Sequence, residues 1–365
     1  MQSIYNKYAQ LLTHYCLQIE KNEKVFIRST YLSEPLLQEI EKEILLAGGI
    51  PEFTVDFNEK ERIFFENAEE HQLKHTPFIM EHVMSNFDAY LAIRAPFNLR
   101  DMQNIDSEKK KIFSATMKPV MQNYSRRTAD GQMKRSLCQF PTLASAQDAG
   151  MSLSEYEKFV YGACFLFEED PVKEWLQVRK DQQTIVDYLN KCNSIHYKSD
   201  KMDIQFSTKG RTWINSDGRN NMPSGEVFTS PVEDSGNGYV SFDFPAVYGG
   251  HEVENVRLEV KNGEVVKWSA EKGKKILDEV FDMPGARFFG EIAIGTNYHI
   301  DRFTRNILFD EKIGGTVHMA VGQSYFQSGG KNESSVHWDM ISGMEDNGEI
   351  YADGTLIYKG SKFII

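Results

Sequence analysis

Apolar residues recur at helical spacing over residues 5–18, and behind Glu20-Lys-Asn-Glu23 the run Lys24-Val-Phe-Ile-Arg28 predicts a short buried strand. A helix should follow. Ser33 caps it, Pro35 lies near its first turn, Leu36, Leu37 and Ile40 repeat at helical spacing, and Gly48-Gly49 ends it. Ile50-Pro-Glu-Phe-Thr-Val-Asp-Phe57 predicts a second strand, a polar helical stretch comes next, and Ala89-Tyr-Leu-Ala-Ile-Arg94 predicts a third. Strands alternating with helices imply an amino-terminal α/β domain of three layers with a parallel sheet. The first strand-to-helix turn, Arg28-Ser-Thr-Tyr-Leu-Ser33, carries neither a GxGxxG nor a P-loop pattern, so it offers no phosphate cradle.

From about residue 97 to residue 193 the pattern is mostly helical, with clear starts at Leu153-Ser-Glu-Tyr156 and Asp170-Pro-Val-Lys173. The linkage between the halves is expected in this stretch. After Lys198 the texture turns to strands. Residues 256–260 and 265–270 flank Asn262-Gly263, and residues 350–352 and 355–358 flank Asp353-Gly354, two hairpin signals. One helix, over residues 272–281, interrupts them before Pro284-Gly285. The carboxy-terminal domain should therefore be mixed α+β and rich in antiparallel strands. Against a prior of about 150 residues per domain, 365 residues suggest two domains, placed at residues 1–110 and 111–365.

Two runs near the end alternate in a way that carries chemistry. In residues 335–341 the apolar Val336, Trp338 and Met340 share one face, so a period of two sends His337 and Asp339 together to the other. In residues 316–321 the same arithmetic sets His318 opposite Val317, Met319 and Val321. Tyr325 is placed with them on these strand-like runs. Taken singly, His318 is more simply a hydrogen-bonded core histidine and Tyr325 a packing residue. Their convergence with His337 and Asp339 is what points to a metal.

Glu226 and Glu291 join the set because each follows a glycine at an apolar strand edge, where a lone buried carboxylate is unfavourable unless a cation compensates. Three carboxylates and two imidazoles exceed the needs of a structural zinc, which prefers thiolates and closes its four positions. The mixture suits catalytic zinc, cobalt or manganese, with magnesium also admitted. Bridging carboxylates would let it hold two divalent ions about 3.5–4 Å apart, with a hydroxide between them available near neutral pH. Hydrolysis is the reaction implied. A phosphoesterase would add arginines, and only Arg302 and Arg305 are near in sequence; a non-catalytic metal-binding protein would saturate its ligands. His299 reads as a loop residue, and His14, His71, His75, His82, His196 and His251 as surface or packing residues.

Composition narrows the partners. A formal net charge of -12 argues against nucleic acid, and charged residues at 26% with hydrophobic residues at 41% describe an ordinary globular protein. The opening residues show no basic region followed by an apolar stretch, and no run of about 18 apolar residues occurs, so neither secretion nor membrane insertion is expected and a cytoplasmic setting is. Cys16, Cys138, Cys164 and Cys192 have no CxxC pairing and should be free thiols.

Several stretches also resemble a known family, the two-metal aminopeptidases typified by aminopeptidases T and S. They are Asn221-Met-Pro-Ser-Gly-Glu-Val-Phe-Thr229, Gly290-Glu-Ile-Ala-Ile-Gly-Thr-Asn297, Ile307-Leu-Phe-Asp-Glu-Lys-Ile-Gly-Gly-Thr-Val-His318, Gly322-Gln-Ser-Tyr325 and the run from Gly329 to Ile341. The resemblance covers the whole chain and is strongest over residues 213–344. It implies metal ligands at Glu226, Glu291, His318, His337 and Asp339, a site tyrosine at Tyr325, a catalytic carboxy-terminal domain and a homodimer. It also implies release of amino-terminal residues from peptides with a free amino terminus. Tyr325 would stabilise the oxyanion while Glu226 or Glu291 moves the proton. One departure is the Phe326-Gln-Ser328 link, where the family pattern leads one to expect proline after the tyrosine.

Overall fold

The structure, a computed structural model, describes residues 3–344 and 347–365. The chain forms two compact units, one of Met1–Val172 with Gly218–Pro223, the other of Lys173–Asp217 with Ser224–Ile365. It crosses between them within the helix Pro171–Leu189, beyond the expected boundary at residue 110, and residues 218–223 return to the first unit.

In the first unit, five strands pair in parallel in the order Ile50–Asp56, Lys24–Thr30, Ala89–Arg94, Lys134–Gln139 and Asn221–Met222. The helix Glu34–Leu46 connects the first two strands along the chain, with proline in its first turn and Leu36, Leu37, Ile40 and Ile44 buried. The helical pattern of residues 5–18 forms as Ile4–Gln10 and then widens into a π-type turn, Leu11–Cys16. Lys134–Gln139 corrects the helical reading of its surroundings. Its inward positions include Ser136 and Gln139, so the strand lacks the apolar alternation that would have marked it.

The second unit is built on two antiparallel sheets. The larger runs Glu264–Ser269, Val256–Lys261, Asn237–Phe242, Met202–Ser207, Ser194–Ser199, Glu349–Ala352, Thr355–Lys359, Lys362–Phe363 and contains both expected hairpins. The smaller runs His337–Gly343, Thr316–Gly322, Phe289–Gly295, Glu226–Thr229, Ile214–Ser216. The expected helix forms over Lys274–Phe281, two residues later than its pattern begins, after Gly273 takes a left-handed conformation.

One core serves both sheets. Ile204, Phe206, Val240 and Leu258 of the larger meet Val227, Ile292, Ile294, Val317, Met319, Val321, Trp338 and Met340 of the smaller. Each such side chain contributes roughly 1.5–3 kcal/mol by leaving water, so the smaller sheet has one inward face and no freedom to turn it. Its other face is where the candidate ligands stand. Among the described residues no helix is long and apolar enough to cross a membrane. None of the four cysteines forms a disulfide.

Candidate metal centre

The period of two that buries Val317, Met319 and Val321 leaves His318 and Ala320 on the opposite face, and the same rule in the next strand leaves His337 and Asp339 there while Trp338 and Met340 go inward. Cross-strand register then arranges the groups in rows. Glu291, Ala320 and Asp339 lie side by side on three strands, and Phe228, Ala293, His318 and Ile341 on four. Glu226 pairs with Gly295. Ala320 is small between Glu291 and Asp339, and Gly295 has no room for a side chain because a Cβ there would lie 2.2 Å from the Ile313 carbonyl oxygen.

The aim of Glu291 depends on a bulge. Pairing slips by one residue between Phe289 and Glu291, so Gly290 has no partner of its own and the strand is re-registered at the acid. A Cβ on Gly290 would lie 2.2 Å from the Gln323 carbonyl oxygen, which explains the glycine before this glutamate. Gly225, before Glu226, has φ +119 and would bring a Cβ to 2.6 Å from that of Asn297.

All five expected ligands converge. His318 Nε2 stands 3.2 Å from Glu226 Oε2 and 3.6 Å from Glu291 Oε1, while His337 Nε2 stands 3.3 Å from Glu291 Oε2 and 3.6 Å from Asp339 Oδ1. Glu291 is thus the shared member, one oxygen towards each imidazole. His337 Nδ1–H donates to the Gln323 carbonyl oxygen at 2.8 Å, which fixes the tautomer and leaves Nε2 as the ligand atom. Glu226, Glu291 and His318 are 5%, 4% and 1% exposed.

Burying so many like charges has visible consequences. Burial would raise the Glu291 carboxyl, but the contacts with His318 and His337 outweigh it and hold it at about 2. Burial and then Glu311 push Asp339 up to about 7, and burial raises Glu226 against the opposing pull of Lys312. Burial disfavours charge on the imidazoles too, yet Glu291 overrides it and pushes His318 up to about 9 and His337 to about 10. Protonated histidines therefore take the place of cations among these carboxylates. Glu226 Oε2, His318 Nδ1 and Asp339 Oδ1 are buried with no hydrogen-bond partner. Two unsatisfied carboxylate oxygens beside forced imidazolium groups are what a set of cation ligands shows, so the residues fit divalent cations.

Two members were not legible beforehand. Glu311 brings a carboxylate oxygen within 4.8 Å of ligand atoms of His318 and Asp339, and Lys312, fully buried, sets its ammonium 3.5 Å from Glu226 Oε1 and against Glu311. Both leave the short helix Ile307–Asp310 in a turn, where no periodicity aims a side chain. The only available signal was an ion-pair dipeptide just ahead of the ligand strand.

Tyr325 needs a correction of place. It lies beyond the strand Thr316–Gly322, at the start of a single 3-10 turn, Phe326–Ser328, and its ring packs 5.2 Å from Phe228 and 5.1 Å from His337. Serines hold that turn in place of the expected proline. Tyr325 N–H donates to Ser230 Oγ at 3.1 Å, and Ser328 Oγ donates to the Tyr325 carbonyl oxygen at 2.8 Å. His299 is in an exposed turn, and His14 and His196 pair with Glu43 and Asp203 away from the centre. A cavity of about 170 Å³ opens beside His337 and Asp339, walled by Tyr248, Phe303 and Ile341 among others.

A donor set of this kind, open to a cavity, is that of a metal-dependent hydrolase. The family model described as thermophilic metalloprotease (M29) matches residues 1–361, and the chain belongs to that family. It is 26% identical to aminopeptidase 2 of Geobacillus stearothermophilus across 93% of its own length and 92% of that protein's. It is 31% identical to aminopeptidase T of Thermus thermophilus across 52% and 53% of the two. The solved structure of wild-type AmpT from Thermus thermophilus matches with a TM-score of 0.84 at 22% identity, covering 99% of each chain, so the fold is shared throughout.

Proposed function

We propose that this chain is a metal-dependent aminopeptidase that removes amino-terminal residues from peptides. The observation that carries the reading is the convergence of Glu226, Glu291, His318, His337 and Asp339 on one sheet face with three unsatisfied polar atoms among them, in a chain whose family is metalloproteolytic and whose relatives are named aminopeptidases. Glu226, Glu291 and His318 would hold one divalent cation, and Glu291, His337 and Asp339 a second. Zinc, cobalt or manganese would supply Lewis acidity and a water acidified towards about pH 7.

The chain's own groups supply the rest. Burial and the nearby Glu291 carboxylate push the Tyr325 hydroxyl upward, so it keeps its proton and serves as a donor to a developing oxyanion. Glu291 is engaged by both imidazoles and Glu226 by His318 and Lys312. The half-buried Glu311, paired with Lys312 and within reach of the ligand atoms of His318 and Asp339, is a third candidate for the proton shuttle that the sequence left between those two acids. A peptide's free ammonium would find a counter-charge among the carboxylates. A homodimer in the cytoplasm belongs to the same reading, and sedimentation tests the first of these.

The arginines that a phosphoesterase would need are both engaged by carboxylates, although Arg305 does line the cavity beside His337 and Asp339. Arg305 Nε is taken by Glu252 at 3.2 Å and Arg302 Nε by Asp301 at 3.1 Å. Hydrolysis of leucyl- and other aminoacyl-anilides by chelator-stripped protein, before and after reloading with zinc, cobalt or manganese, tests the proposal. Activity that survives complete stripping would sink it.

A further inference from the structure

Lys312 is 0% exposed, and its ammonium lies against two carboxylates of the centre, Glu226 and Glu311. A buried cation there is little screened by solvent, and its charge opposes that of any metal ion drawn to the same carboxylates. Its placement is one-sided. Three ligand groups can be drawn: Glu226, Glu291 and His318; Glu311, His318 and Asp339; and Glu291, His337 and Asp339. The lysine pairs with a member of each group that contains His318, and among the described residues it pairs with no member of the group built on His337.

We propose that Lys312 is a built-in counter-cation that makes the two metal positions unequal, weakening the His318 position and leaving the His337 position tight. The inference rests on the metal-site reading above and goes beyond it by ranking the positions and naming the residue responsible. Like charge acts at the first position through Glu226 and Glu311, both in contact with the lysine, and reaches the second only through the shared Glu291. Lys312 is a positioning residue by this account, since it works through the ligands and not on the substrate.

Calorimetric titration of chelator-stripped protein with zinc, at fixed pH and without substrate, is the test. The wild type should show two events whose affinities differ by about tenfold or more. Lys312→Met should strengthen the weaker event by about tenfold or more and move the tighter by less than about threefold, whereas Lys312→Arg keeps the gap. His318→Ala should delete the weak event and His337→Ala the tight one. Equal affinities in the wild type, or a gap untouched by Lys312→Met, overturn the inference and leave the metal site standing. Wild-type protein that binds no zinc overturns both. If Lys312→Met does not fold, the histidine variants decide: loss of the tight event in His318→Ala overturns the proposal.

Discussion

Removing and restoring cations should move protons in a countable way. Without metal, His318 and His337 sit at about 9 and about 10 because Glu291 outweighs burial at each ring. A divalent cation needs the nitrogen lone pairs, so at pH 7 both rings must give up a proton when the centre fills. Asp339, raised to about 7 by burial and Glu311, adds up to about half a proton more. Zinc uptake should thus release about two protons per chain, and the combined affinity for two ions should rise by roughly a hundredfold per pH unit between about pH 7 and 9. The stability of metal-free protein moves the opposite way, falling as pH rises. Each ring's folded-state pKa lies above the ordinary 6.5, so its stabilisation of metal-free protein is fully present below that value and lost as pH rises through about 9 to 10. The full loss is on the order of 3 kcal/mol for His318 and about 5 kcal/mol for His337, and stripped protein should melt several degrees lower at pH 10 than at pH 7. Titrating stripped protein with zinc in buffers of different ionisation enthalpy gives the proton count as a slope. A slope near zero, or stripped protein that melts higher at pH 10, would refute the electrostatic account of the centre.

Other expectations follow from single positions. His337→Ala and Asp339→Ala should each lower kcat on an aminoacyl-anilide by about a thousandfold or more, with circular dichroism unchanged; wild-type rates would remove them from the site. Ala320→Leu would push a side chain between Glu291 and Asp339, and zinc affinity should fall by about tenfold or more while the melting temperature holds. Met319→Ala, on the buried face of the same strand, should cost about 2–5 kcal/mol in urea unfolding yet leave the zinc stoichiometry intact.

Much of this molecule was legible because two periodicities dominate it. The strand-helix-strand order implies the parallel sheet, and alternation over residues 316–321 and 335–341 sets the candidate ligands apart from the core residues. The Asn262-Gly263 and Asp353-Gly354 turns marked real hairpins. Lys134–Gln139 escaped because its inward positions are polar. Glu311 and Lys312 escaped because a turn has no period, and their side chains reach the centre through a backbone path that local sequence does not encode. Gly290 showed the opposite case: its presence before Glu291 was noticed, but a bulge pressed against the Gln323 carbonyl is a tertiary reason.

Odd and even positions of these strands have separate employments: one set holds the sandwich together, the other carries the candidate ligands. Slipping His337–Gly343 by a single residue would drive Asp339 into oil and lift Met340 into the cavity, so a misregistered chain is at once unstable and inactive. The converse is that chemistry can be rewritten without dismantling the scaffold. Exchanges confined to the cation-facing positions leave every interior contact of Val317, Met319, Trp338 and Met340 in place, which makes this sheet a platform on which new ligand sets can be tried while the fold stays solvent-proof beneath them.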